Sequence, residues 1–88
     1  MAKDIKLSGR EMGVLRSIGF GLGVSGVELQ ERTALAAADL ADVLNTLLDI
    51  GYIETRSLKE RVEIDGVLEE NFEINPSYAN DLKLAMKR

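Results

Sequence analysis

The chain has 88 residues, which is enough for one domain with a modest hydrophobic core. It contains no cysteine and no histidine, which excludes disulfides and zinc sites built from thiolates or imidazoles. The net charge is −4, whereas a nucleic-acid binder is usually basic on at least one face, and no apolar run approaches the roughly 20 residues of a membrane span. We therefore expect one cytoplasmic domain, without a cofactor and without membrane contact.

The first predicted helix begins at a capping box, Ser8-Gly9-Arg10-Glu11. In such a box the Ser8 hydroxyl accepts the amide hydrogen of Glu11, and the Glu11 carboxylate accepts the amide hydrogen of Ser8. Apolar residues then recur at helical spacing along one side. These signals predict helix 1 over about residues 8–19.

A glycine-rich stretch, GFGLGVSGVEL, follows helix 1. Its glycines Gly21, Gly23 and Gly26 fit the pattern G-x-G-x-x-G of dinucleotide-binding turns. That pattern requires a preceding strand and a βαβ unit of about 30 residues, whereas here a capped helix precedes it. We interpret the stretch as glycines that end helix 1, joined to a second capping box, Ser25–Glu28, that begins helix 2 over about residues 25–33.

Helix 3 is predicted over about residues 37–50, where apolar residues fall at i, i+3, i+4, i+7 and i+8. Gly51 ends the helix as a left-handed cap, and its start is weakly capped because alanines stand where Ser or Thr is preferred. The apolar stripe consists of Leu40, Val43, Leu44, Leu47 and Leu48.

After helix 3 the pattern changes to alternation with β-branched and aromatic side chains, which predicts a β-hairpin over about residues 52–74. Asp65-Gly66 is the favoured dipeptide of a two-residue hairpin turn. If this turn sets the register, Ser57 lies opposite Ile74.

The expected register divides the hairpin into two faces. Phe72 and Ile74 share one face with Ser57 and Ile53, which we expect to be the core side. The other face, if exposed, marks a partner or self-association surface, but a bend would pack it against the last helix instead. The sequence leaves both alternatives open, and the hairpin edge also offers a place for a partner's strand. This second face carries Leu58, Val62, Ile64 and Val67.

The last helix is predicted over about residues 76–87, with Asn75 as its cap and Pro76 in its first turn. The order of elements is then helix, helix, turn, helix, hairpin, helix. This order predicts an α+β fold in a single domain over residues 1–88.

The segment VELQERTALAAADLADVLNTLLDIGYIE resembles the helix-turn-helix part of winged-helix transcriptional regulators of the MarR type. The resemblance is carried by Glu28-Leu29 in helix 2, by Leu35 in the turn, and by the leucines that precede Gly51-Tyr52-Ile53. Asn75-Pro76 is similar to the start of the helix that follows the wing in these regulators. The resemblance covers about residues 8–86 and implies a winged helix, with three helices, a β-hairpin wing and a C-terminal helix.

The resemblance implies a DNA-binding mode, with helix 3 in the major groove and the wing on the backbone or minor groove. Asn45 could then pair with adenine and Thr46 could touch a base edge. Arg56, Lys59 and Arg61 lie on the predicted wing, where cations could hold phosphates.

The residues of helix 3 favour a different role. Asp39, Asp42 and Asp49 lie on or beside the face opposite the leucine stripe, and residues 33–55 contain no lysine or arginine. Carboxylates near phosphates cost Coulomb energy that no cation offsets here. We also find no catalytic set, because the serines have no histidine to activate them. We therefore expect a non-enzymatic module for protein interaction or self-association in a regulatory context. The alternative is a DNA-binding regulator.

Overall fold

The computed structural model describes residues 5–87, so residues 1–4 and 88 of the predicted domain lie outside the described part of the chain. The predicted α+β class is confirmed, because the described residues form four α-helices and a three-stranded antiparallel sheet. Short 3-10 turns precede the last strand and the last helix. The elements are α1 (Gly9–Ile18), β1 (Val24–Ser25), α2 (Gly26–Thr33), α3 (Ala37–Ile50), β2 (Ile53–Thr55), a 3-10 turn (Val67–Glu69), β3 (Asn71–Ile74), a 3-10 turn (Pro76–Tyr78) and α4 (Ala79–Met86).

The caps of α1 and α3 follow the sequence signals. The Ser8 hydroxyl accepts the Glu11 amide at 3.1 Å, and the Glu11 carboxylate accepts the Ser8 amide at 2.8 Å, so the first capping box is confirmed. α3 has no side-chain cap at its start, and Gly51 ends it with a left-handed φ of 97°. Local hydrogen bonding therefore fixes the start of α1 and the end of α3.

The second predicted capping box forms only in part. The Ser25 hydroxyl accepts the Glu28 amide at 3.2 Å, as expected. The Glu28 carboxylate, however, binds Arg32 at 3.1 Å instead of returning to the cap. Ser25 also lies in β1, which the sequence did not predict, and pairs there with Asn71 of β3. Ser25 therefore serves both as the cap of α2 and as the last residue of β1.

Gly26 is required by the close approach of two backbones and not by a phosphate. Its amide donates to the Glu70 carbonyl at 2.8 Å. A Cβ at this position would overlap the Val67 carbonyl oxygen and lie 2.8 Å from the Leu68 Cα. The glycine pattern thus allows α2 to begin directly against the 3-10 turn that precedes β3.

The strand register differs from the prediction. β3 lies between β1 and β2, and Ile74 pairs with Ile53, so the expected pairing of Ile74 with Ser57 is wrong by four residues. Asp65-Gly66 does not form a two-residue hairpin turn, because β2 ends at Thr55 and residues 56–70 form a long connecting segment. Tertiary packing of this segment against α2 and α3 overrides the local turn preference.

The expected core side is confirmed for Ile53, Phe72 and Ile74, because a shift of four residues keeps the alternation of side chains, but it is wrong for Ser57. Ile53, Thr55, Phe72 and Ile74 all point into the core, whereas Ser57 is exposed outside the sheet. The core therefore fills the space between the inner face of the sheet and the helices. Its fully buried apolar side chains include Val14, Leu15, Leu29, Leu40, Leu44, Leu47, Ile53, Val67, Phe72 and Leu82.

Asn75 joins the end of α3 to the start of the last helical region. Its Nδ2 donates to the Gly51 carbonyl at 2.8 Å, and its Oδ1 accepts the Ser77 amide at 3.0 Å. Next to it, the rings of Tyr52 and Tyr78 meet edge to face at 5.1 Å, and burial raises the pKa of the Tyr52 phenol. Within residues 5–87, none of the helices combines the length and the apolar character needed to cross a membrane.

Substitution of Gly26 by alanine tests the backbone approach. We expect Gly26→Ala to lower the free energy of unfolding by about 1–3 kcal/mol or more, because the new Cβ overlaps backbone atoms, which cannot move away by a side-chain rotation. Gly13→Ala is the matched control, since a Cβ in this part of α1 meets nothing within 4 Å. The control should stabilise the protein by about 0.5–1 kcal/mol, because alanine favours helix interiors. Equal effects of both changes in urea unfolding would contradict this packing.

Candidate protein-interaction surface

The exposed side of α3 is acidic. Asp42, Thr46 and Asp49 are all exposed at spacings of four and three residues, and we call this set the acidic α3 face. The opposite side of the helix contributes its leucines to the core. Ile50, at the end of the helix beside this face, is 47% exposed. The acidic α3 face therefore has an exposed apolar residue, Ile50, beside its carboxylates, and it contains no cation of its own.

Asn45 does not belong to this exposed surface, which corrects the expectation that it reads bases. The residue is only 9% exposed, and its amide makes two hydrogen bonds to one residue of the connecting segment. Its Oδ1 accepts the Val62 amide at 2.7 Å, and its Nδ2 donates to the Val62 carbonyl at 2.9 Å. Because both ends of the amide are engaged, Asn45 cannot offer the paired contact that recognises adenine.

The predicted apolar strip is divided by the same segment. Val62 and Val67 are 7% and 0% exposed and belong to the core, whereas Leu58 and Ile64 are 78% and 56% exposed. Of the two alternatives that the sequence left open, the exposed surface is therefore wrong for the two valines and holds for Leu58 and Ile64. The 3-10 turn that begins at Val67 packs against α2 and α3. Leu58 and Ile64 remain as two separate exposed residues that a partner could contact.

Leu58 lies in an unusual backbone conformation. Its φ is 61°, a left-handed value that costs most side-chain-bearing residues roughly 1–2 kcal/mol. The preceding strand end holds this turn, because the Leu58 amide donates to the Thr55 carbonyl at 3.0 Å and the Lys59 amide donates to the Thr55 hydroxyl at 2.6 Å. A large apolar side chain is thus held outward at the start of the connecting segment.

The cations of the predicted wing are exposed but lie among carboxylates. Arg61 forms an ion pair with Asp49, with 3.7 Å between Nη1 and Oδ2, and the two side chains are 66% and 64% exposed. Such an exposed pair contributes little stability because water screens it. Arg56 and Lys59 are also exposed. Because Arg61 is paired with Asp49, its positive charge is offset by a carboxylate of α3, which reduces its attraction for a phosphate.

The aspartates of α3 differ in their relation to the helix dipole. Asp39 is half-buried in the first turn, where its charge favours the positive end of the helix. Asp49 lies in the last turn, where a carboxylate is disfavoured by roughly 0.3–1 kcal/mol. Asp39 thus has a role in helix stability, whereas Asp49 and the exposed Asp42 have charges that the fold does not need.

A cleft of about 450 Å³ lies beside the end of α3. Its walls come from the last turn of α3, from β2 and from residues 58–60 of the connecting segment. Asp49, Glu54 and Glu60 give it an acidic lining, with Lys59 as the cation. In the described part of the chain, no group of three or more acidic side chains is arranged to hold a metal ion.

Comparisons of this chain with protein-family models, with curated proteins and with solved structures gave no match. Within the candidate surface, the structure brings together Asp49 and Arg61, which the sequence had assigned to different roles. It separates Asn45 from Thr46, because one is buried and the other is exposed.

Removal of the Asn45 amide tests its structural role. We expect Asn45→Ala to lower the free energy of unfolding by about 1–3 kcal/mol, because the Val62 amide and carbonyl lose their partners inside the protein. Thr46→Ala is the control, since its exposed hydroxyl bonds only within the helix. It should change stability by no more than about 0.5 kcal/mol. Hydrogen exchange at the Val62 amide should accelerate only in the Asn45 variant, and acceleration in both would contradict this role.

A pair of aspartate substitutions tests the division of the apolar strip. Val62→Asp should destabilise the protein by on the order of 3 kcal/mol or more, because it buries a charge without a partner. Ile64→Asp places the same charge on an exposed side chain and should change stability by less than about 0.5 kcal/mol. Thermal unfolding followed by circular dichroism separates the two results. An unaffected Val62 variant would show that this residue is not part of the core.

Proposed function

We propose that the chain acts in the cytoplasm as a winged-helix module that binds another protein, without enzymatic activity. The order α1, α2, α3, β2, β3, α4 supports this arrangement, because a short turn joins two helices before a pair of antiparallel strands. The role of the acidic α3 face is to receive a basic surface on the partner.

The observation that carries this proposal is the charge of the α3 surface. Asp42 and Asp49 are exposed, and the fold gains little from their charges, because Asp49 forms only a solvent-exposed ion pair with Arg61. A partner that presents lysines or arginines is attracted to such a surface, whereas a phosphate backbone is repelled. Complementary charge of this kind mainly sets specificity and the rate of association.

The buried state of Asn45 also supports a protein partner over DNA. A helix that reads bases needs polar side chains free to reach the groove, together with cations that hold the phosphates. On α3 the exposed candidate is Thr46, which lies between two aspartates at helical spacing. A non-enzymatic role is supported by the exposure of these carboxylates, because catalytic acids and bases need a closed site with separated pKa values.

Charge reversal on α3 tests the proposal. The wild-type chain and the Asp42→Lys variant are each used as bait to capture proteins from an extract of the source cell. We expect the wild type to retain a protein partner that the variant does not retain. Glu31→Lys is the matched control, because it makes the same change in net charge at an exposed site on α2. The control should retain the partner. Equal retention by all three proteins would show that the acidic α3 face is not the binding surface.

The DNA-binding alternative is tested by titrating labelled duplex with the protein at several salt concentrations. We expect affinity no better than the weak end of non-specific binding, with Kd of about 100 μM or weaker at physiological salt. Micromolar or tighter binding that falls steeply with added salt would overturn the proposal in favour of a DNA-binding regulator.

A further inference from the structure

The turn between α1 and β1 exposes two large apolar side chains. Gly19 and Gly23, with φ of 72° and 93°, lie at its ends. Between them, Leu22 is 94% exposed and Phe20 is 38% exposed, so Leu22 contributes almost nothing to the core. Glu73 of β3 lies beside Gly23 and is the acidic neighbour of this turn. An exposed leucine at a turn tip is available for contact with a partner.

Cations gather beside this turn, where α1 and α4 end. The Lys83 ammonium lies 5.1 Å from the centre of the Phe20 ring, and the Arg16 guanidinium donates to the Met86 carbonyl at 3.2 Å. Lys87 follows at the end of α4 and is exposed. We call this surface the basic pole, and it consists of Arg16, Phe20, Leu22, Lys83 and Lys87.

The charges of the described chain are therefore unevenly distributed. Glu11 and Asp81 lie on the same two helices as the cations but are half-buried, whereas Arg16, Lys83 and Lys87 are exposed. A chain with a net charge of −4 thus has both an acidic surface and a basic one.

We propose that the basic pole of one copy docks on the acidic α3 face of a second copy. This inference rests on the proposed function, because it assigns an occupant to the same α3 face. Charge complementarity between two surfaces of one chain supports a second copy as that occupant. Leu22 at the pole and Ile50 beside the acidic α3 face add apolar area to the contact, which charges alone would hold only weakly.

Sedimentation of the purified chain at increasing concentration and at two salt concentrations tests this contact. We expect concentration-dependent association at low salt that weakens as salt is added, because the charges that steer the contact are exposed. A monomer at every concentration would overturn the inference. If that monomer still captures a protein through Asp42, the proposed function stands and its partner is a different protein.

Substitutions on each surface make the test specific. Leu22→Ser should weaken association without affecting the fold, because the leucine is almost fully exposed. Asp42→Lys and Lys83→Glu should each lower the association constant by about tenfold or more, because each brings like charges together. Glu31→Lys and Lys6→Glu are the matched controls, since they change the net charge equally at other exposed sites. They should associate as the wild type does.

A mixture of the two charge variants tests directly whether the basic pole contacts the acidic α3 face. An equimolar mixture of Asp42→Lys and Lys83→Glu should associate more strongly than either variant alone, because the unchanged pole of the first variant meets the unchanged α3 face of the second. Circular dichroism of each variant checks that its fold is retained. Failure of the mixture to associate, or loss of association in the controls, would overturn the docking of pole on face.

Discussion

The two hydrogen bonds between Asn45 and Val62 determine how this small protein presents its surface. They join the middle of α3 to a segment 17 residues further along the chain, and both partners are buried. A buried polar pair of this kind is costly to leave unsatisfied, so it fixes the position of the segment more firmly than apolar contact alone. The long connection between β2 and β3 is thereby held against α3 instead of projecting as a free hairpin.

The attachment of Val62 to Asn45 determines which side chains around it are exposed. With Val62 held inward, Arg61 on one side of it lies close enough to pair with Asp49, and Ile64 on the other side remains exposed. The polar residue of α3 with the best chemistry for reading a base becomes part of the interior. The polar side chains that remain exposed on the helix are Asp42, Thr46 and Asp49, which is why we favour a basic protein surface as the partner over DNA.

Features that depend on neighbours in sequence could be predicted. The Ser8–Glu11 box and the Gly51 cap involve residues within one helical turn of each other, and the leucine stripe of α3 follows directly from helical periodicity. The faces of Phe72 and Ile74 were also predicted, because alternation along a strand depends only on parity. These features need no knowledge of the rest of the chain.

Features that depend on distant contacts could not be predicted. Strand β1 exists because residues 24–25 meet residues 71–72, and Asp65-Gly66 loses its usual turn because Val62 and Val67 are drawn into the core. Asn45 follows the buried Ala41 by four residues, which places it at the margin of the buried side and is the one signal that could have indicated its role. Its partner could not be inferred, since nothing local marks Val62.

A nuclear magnetic resonance titration of ¹⁵N-labelled protein with duplex DNA at physiological salt shows directly whether the Asn45 amide is held inside the protein or is available to DNA. We expect the Asn45 side-chain amide hydrogens to exchange slowly with solvent, and their signals not to shift as DNA is added, because the amide is bound to Val62 inside the protein. Rapid exchange of these hydrogens, with saturable shifts of Asn45 and Thr46 on adding DNA, would contradict this expectation.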